Sequence, residues 1–75
     1  MTFDKEIDAS GLACPLPIVR TRKALDGLAS GQVLRMIATD PGSVPDMAAF
    51  AEMGGHTLLH SGEEGDRFVF LLKKA

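Results

Sequence analysis

The sequence predicts an α+β domain built as a two-layer α/β sandwich of order βαβαββ, with two helices on one face of a four-stranded mixed sheet. Three observations lead there. Glycine and proline punctuation divides the 75 residues into six short elements. The first three read strand, helix, strand, at a spacing that implies a right-handed crossover and parallel pairing. The last two are apolar runs joined by a turn, the pattern of a β-hairpin. The whole chain, 1–75, reads as one domain, of a size that buries about 60% of its unfolded surface.

The elements follow in order. Residues 3–8 alternate, with Phe3, Lys5 and Ile7 on one side and Asp4, Glu6 and Asp8 on the other, giving a first strand with a polar face. Residues 9–13 form a short loop around Gly11. A helix starts at Cys14 or Pro15, carries Ile18, Thr21, Leu25 and Leu28 on one face, and ends at Ser30-Gly31. Residues 33–39 form a second strand, apolar on both faces except at Arg35. After the loop Asp40-Pro41-Gly42, Ser43 with Asp46 three residues on resembles a capping box. The second helix places Val44, Met47, Ala48 and Phe50 at apolar positions and stops at Gly54-Gly55. Residues 56–61 form a third strand, 62–66 a turn, and 67–73 a fourth strand. This last strand is apolar on both sides and therefore central.

Composition narrows the function. Hydrophobic residues make up 45% of the chain, an ordinary globular share. A single cysteine excludes an internal disulfide and fits a reducing compartment. The first ten residues carry acidic side chains and no apolar run, unlike a signal or transit peptide. No apolar stretch approaches the ~20 residues that span a bilayer. The expected location is the cytoplasm, with no membrane contact. The net charge is −2, and the eight basic residues are dispersed except at Arg20, Arg22 and Lys23. That pattern opposes direct nucleic-acid binding. The three helix cations suit either docking of an acidic protein or a solvated helix face.

Cys14 is the principal chemical candidate. It stands in Gly11-Leu12-Ala13-Cys14-Pro15-Leu16-Pro17, where a helix begins. A helix N-terminus offers unpaired N–H groups and the positive end of the macrodipole, and both favour a thiolate or a persulfide anion. With Cys14 as N-cap, Pro15 is N1 and Pro17 is N3, and only the Leu16 N–H remains to cap the turn. Such a turn is rigid and leaves the sulfur projecting. Pro17 occupies the place of a second thiol, so the sequence is not a CxxC dithiol motif. Asp8 and Asp40 lie at the ends of the two parallel strands, on the edge where Cys14 also falls, and each also suits a turn or cap. His56 and His60, read on one strand, point to the same side about 13 Å apart, too far to chelate one metal. No metal or cofactor is expected. Met36, Met47 and Met53 read as core fillers.

The motif Asp8-Ala-Ser-Gly-Leu-Ala-Cys14-Pro-Leu-Pro17, followed by Arg22-Lys23, Leu25 and Thr39-Asp40-Pro41, resembles the TusA/SirA family of small sulfur carriers. The similarity runs on through Arg67-Phe-Val-Phe and Lys73, nearly the whole chain. The resemblance implies the βαβαββ fold. It implies that Cys14 accepts sulfane sulfur from a donor such as a cysteine desulfurase and passes it to a downstream acceptor protein. It also implies that the family's acidic positions fall on Asp8 and Asp40 and its basic pair on Arg22 and Lys23. The branch that serves tRNA thiolation resembles CPEP with a basic residue before the cysteine. Here Leu16 and Ala13 stand in those places and remove charge next to the sulfur. Sulfur oxidation, molybdenum-cofactor assembly and selenium metabolism are the family's other settings.

The leading reading is therefore a monomeric sulfurtransferase-type persulfide carrier. Catalytic Cys14 is supported by the turn residues Gly11, Pro15, Leu16 and Pro17, and Asp8, Arg20, Arg22, Lys23 and Asp40 meet or tune partners. The competing reading is an interaction or regulatory module with a structural or redox-sensing cysteine. A nucleic-acid-binding domain rests on fold analogy alone and is opposed by the charge.

Overall fold

A computed structural model describes residues 2–13 and 15–75. The elements are β1 (Lys5–Ala9), α1 (Leu16–Asp26), β2 (Val33–Ala38), α2 (Ser43–Gly54), β3 (Thr57–Glu64) and β4 (Arg67–Lys73). The sheet order is β1-β2-β4-β3, with β1 parallel to β2 and the other pairs antiparallel. Thus the predicted mixed sheet and βαβαββ order are found, and β4 is central. Helix α1 covers β1 and β2, and α2 covers β3 and β4. Alternation along β2 and β4 sends Met36, Ala38, Phe70 and Leu72 towards the helices, where they enclose Met47 and Ala51 of α2. A second cluster joins Ala24 and Leu25 of α1 to Leu34. Ile37, Val69 and Leu71 point to the other face and are also buried.

Several boundaries differ from the sequence reading, each for a local reason. Strand β1 begins at Lys5 rather than Phe3. Asp4 ends the irregular lead-in, its N–H donating to Val33 O and its carboxylate accepting from the Val33 N–H. Phe3 is left beside Arg35, whose guanidinium lies 5.7 Å from the ring centroid. Arg35 also pairs with Glu6 across the sheet.

Helix α1 stops at Asp26, short of Ser30-Gly31, because Gly27 and Leu28 close its last turn with hydrogen bonds to Ala24 O and Leu25 O. The Lys74 ammonium then donates to Leu25 O (2.7 Å) and Leu28 O (2.8 Å), placing a cation where the macrodipole is negative.

The expected capping box of α2 does not form. Ser43 is the first helical residue, not the cap, and no side chain caps from Gly42. Asp40 does the work from three residues earlier. Its carbonyl accepts the Ser43 N–H (2.9 Å), and its carboxylate accepts the Gly42 N–H (3.1 Å). The Ser43 hydroxyl is buried and has no hydrogen-bond partner among the described residues. On α2 the buried positions are Ser43, Met47 and Ala51, while Val44 and Ala48 are exposed.

Strand β3 runs on through Gly62, Glu63 and Glu64, which read as turn residues in the sequence. Their pairing with Val69, Phe68 and Arg67 carries them despite low strand propensity. The hairpin loop shrinks to Gly65-Asp66, with Gly65 at φ +65°, as a two-residue loop with glycine first requires. A bulge between Leu58 and His60 changes the register.

The two histidines therefore do not share a side. His56 precedes the strand, stacks on Phe50 of α2 at 5.6 Å, and accepts the Ala75 N–H at Nδ1. His60 pairs opposite Leu71 on the other face. Met36 and Met47 are core residues as expected, but Met53 is 89% exposed at the end of α2.

Candidate functional site

Because β1 and β2 are parallel and each is followed by a helix, one edge of the domain gathers the ends of both strands and the starts of both helices. The loop residues Ser10 to Ala13, and Pro15 after them, lie on that edge. Cys14 itself lies outside the described residues, so the site is built from what flanks it.

Three hydrogen bonds shape the approach. The Ser10 N–H donates to Asp8 Oδ1 (2.9 Å), an Asx turn that ends β1. The Leu12 N–H donates to Ala9 O (3.2 Å). The Gly11 N–H donates to Thr39 Oγ1 (2.8 Å), which ties the loop to the end of β2. Gly11 holds φ +80°, a left-handed conformation that a residue with a Cβ adopts only with strain. Leu12 packs against the cluster that contains Met36, Met47 and Phe70. Thr39 belongs to the Thr39-Asp40-Pro41 stretch of the family resemblance but has no role assigned by the sequence, and its hydroxyl anchors the loop. Only the pairing of β1 with β2 brings the two positions together.

On the other flank, α1 starts one residue later than the sequence implies. Pro15 is the N-cap, Leu16 is N1 and Pro17 is N2, so the frame with Cys14 as N-cap is replaced. The Leu16 N–H, expected to serve the cysteine, donates to Ala13 O (3.0 Å). The N–H groups of Ile18 and Val19 both donate to Pro15 O. Pro15 and Pro17 have no N–H. The first turn of α1 thus presents no unused backbone donor among the described residues. What it offers an anion is the macrodipole field.

Pro17 is buried, and its carbonyl accepts from the Thr21 hydroxyl (2.8 Å), which also contacts Met47 Sδ at 3.7 Å. The turn is pinned from beneath, while Leu16 (48%) and Val19 (56%) stand exposed above it. Val44, in the first turn of α2 on the same edge, is exposed too. These apolar side chains belong to the first turns of α1 and α2.

The charged candidates are distributed differently from the sequence reading. Asp8 and Asp40 both reach the edge, and both accept main-chain N–H groups there. The Ser10 side chain, then the Ser10 N–H and the nearby Arg67, hold the Asp8 carboxyl below its ordinary value. The three helix cations do not form one patch. Arg20 and Lys23 line a groove against β1, together with Lys5. Arg22 lines a separate groove with Phe50, Met53 and His56, near the C-terminal ends of both helices. Among the described residues, no three His, Cys, Asp or Glu side chains come together as metal ligands would.

The sequence profile of the sulfurtransferase TusA family matches residues 5–74, the strand, loop, helix and sheet described above. The chain belongs to the TusA family. A sulfur carrier protein TusA of Allochromatium vinosum is 60% identical over 73 residues, covering 97% of this chain and 96% of that protein. The putative sulfur carrier protein YrkI of Bacillus subtilis is 51% identical over 74 residues, covering 99% of each. Among solved structures, a SirA-like protein of Desulfitobacterium hafniense superposes with a TM-score of 0.81 at 27% identity, covering 96% of this chain and 97% of that one. TusA membership accounts for the two-layer fold.

Proposed function

We propose that the protein carries sulfur as a persulfide on Cys14, taking it from a donor protein and passing it to an acceptor in a sulfur relay. Membership of the TusA family carries this reading. The chain has one cysteine, and in the sequence it stands in the CPxP segment between the Gly11 loop and α1. The chemistry is exchange at sulfur. The Cys14 thiolate attacks the outer sulfur of a donor persulfide, forming a new S–S bond. The donor's own S–S bond breaks, and the donor leaves as its thiolate. No oxidant or reductant is consumed, so the step reverses readily onto an acceptor.

The flanking residues have distinct parts in this proposal. Gly11 and Thr39 set the loop, and Pro15 and Pro17 stiffen the turn. Leu16, Val19 and Val44 offer apolar contact that excludes water while two proteins exchange sulfur. Asp8 and Asp40 keep the edge in shape and meet partners there, and Arg20, Arg22 and Lys23 meet them from α1. The protein acts in the cytoplasm as a monomer between docking events.

Incubation with a cysteine desulfurase and cysteine is expected to add one sulfur, about 32 Da, removable by a thiol reductant. The Cys14→Ser variant is expected to gain nothing. Sulfur found on the serine variant would overturn the assignment. A folded protein whose Cys14 never reacts would favour a structural cysteine instead.

A further inference from the structure

Helix α1 divides its cations between two grooves, and the one against β1 has a distinct chemistry. It has a volume of about 770 Å³ and is lined by Lys5 and Ile7 of β1 and by Val19, Arg20, Lys23 and Ala24 of α1. Three cations face a single carboxylate in the lining, Asp8, and that carboxylate already accepts the Ser10 N–H. Arg35 and Glu6 pair with each other outside this groove, so that ion pair takes up none of its cations. This basic groove sits on a chain whose net charge is −2. Ile7, Val19 and Ala24 share the lining with the cations, so the groove combines charge with apolar surface.

Position along the chain adds a second argument. β1 is an edge strand, paired on one side only, with β2. A peptide laid along the groove can therefore extend the sheet through the outer edge of β1. Asp8 lies at the far end of that strand, just before the loop that bears Cys14, and the Val19 N–H bonds back to Pro15 O in the first turn of α1. A segment running from Lys5 towards Asp8 and Val19 thus ends beside the sulfur-bearing loop.

We propose that this groove receives an extended segment of the sulfur-exchanging partner, one that alternates carboxylates with apolar residues. The proposal rests on the sulfur-carrier reading for the identity of the partner, but the binding surface itself does not. The acidic residues pair with Lys5, Arg20 and Lys23, and the apolar ones cover Ile7, Val19 and Ala24. Docking there is separate from contact at the Arg22 groove and meets the loop edge at Asp8 and Val19.

The test uses isotope-labelled full-length protein titrated by NMR with a blocked peptide of alternating glutamate and leucine, and with its lysine–leucine counterpart. The acidic peptide is expected to shift the amides of Lys5, Ile7, Val19 and Lys23, with affinity falling as salt rises. The Lys5→Glu, Lys23→Glu double variant is expected to bind about tenfold more weakly. Lys73→Glu, the same kind of substitution made once on the opposite sheet face, is expected to stay within about twofold. Shifts centred on Arg22, Phe50 and Met53, equal binding of the lysine peptide, or no shifts would each overturn the proposal. So would shifts that track protein concentration without peptide, which would make a second copy the occupant. In the same samples, loading of Cys14 by inorganic polysulfide is followed by intact mass. Loading without peptide binding removes the groove and leaves the carrier. Peptide binding without loading does the reverse.

Discussion

At the scale of single residues, the first turn of α1 decides how the cysteine is tuned. The sequence places a helix start at the CPLP segment correctly, but it cannot say which residue is the cap. That depends on whether the Leu16 N–H goes to the cysteine or to Ala13 O, a choice of about one residue of helical phase, and the structure gives it to Ala13 O. With no unused backbone donor among the described residues of that turn, the helix field is the source of acidification it offers Cys14. Its midpoint, read from thiolate absorbance against pH, is expected below the free value of about 8.5 and above the lowest cysteine values of about 3.5. It is expected to rise with added salt, since a field through solvent is screened and a direct hydrogen bond is not. Asp8 shifts by a different route. Its carboxyl lies below the ordinary 3.8 because Ser10 hydrogen-bonds its ionised form. A depressed carboxyl pKa stabilises the fold fully above the ordinary value, and the contribution disappears as pH falls through the folded value. Carboxyl NMR of Ser10→Ala is expected to show the Asp8 midpoint moving upward, towards the ordinary value.

At the scale of elements, strong periodicity was legible and terminal chemistry was not. Residues 33–39 and 67–73 read as strands from their apolar runs, and the Thr21–Leu25 face of α1 reads from helical spacing. The start of α2 shows where such reading fails. Ser43 and Asp46 have capping-box spacing, yet Asp40-Pro41 supplies a carboxylate cap followed by a proline three residues earlier, and that pair wins. Ser43 is carried into the helix with its hydroxyl buried and unpartnered among the described residues. Removing a buried hydroxyl that makes no hydrogen bond relieves a desolvation cost. Ser43→Ala is therefore expected to be neutral or to stabilise by up to about 1 kcal/mol in urea unfolding. A loss of more than about 1 kcal/mol would mean that the hydroxyl has a partner after all. The bulge in β3 was equally hidden, because a single extra residue leaves the His56–His60 spacing unchanged in sequence while placing the rings on opposite faces.

At the scale of the whole molecule, the order of elements and the family motif together made the architecture readable, while the distribution of charge required the structure. Arg20, Arg22 and Lys23 are near neighbours in sequence, but the turn of a helix sends Arg22 to one groove and its companions to another. The same smallness that makes the topology simple makes the core thin. A domain of this length has a total stability of about 4 to 11 kcal/mol at typical values per residue. Met47 is fully buried and bridges α2 to the sheet and to Thr21. Met47→Ala is expected to cost about 2 to 4 kcal/mol, measured by denaturant midpoint, enough to leave a marginal fold. Met53 presents the opposite case, a thioether 89% open to solvent, on the last turn of α2. One oxygen on Met53 and one on Cys14 together weigh nominally the same as one carried sulfur, about 32 Da. A loaded carrier and an oxidised one are therefore isobaric in a low-resolution spectrum. A thiol reductant strips a persulfide and reduces a sulfenic acid but leaves the methionine sulfoxide, so the residual mass after reduction separates cargo from damage.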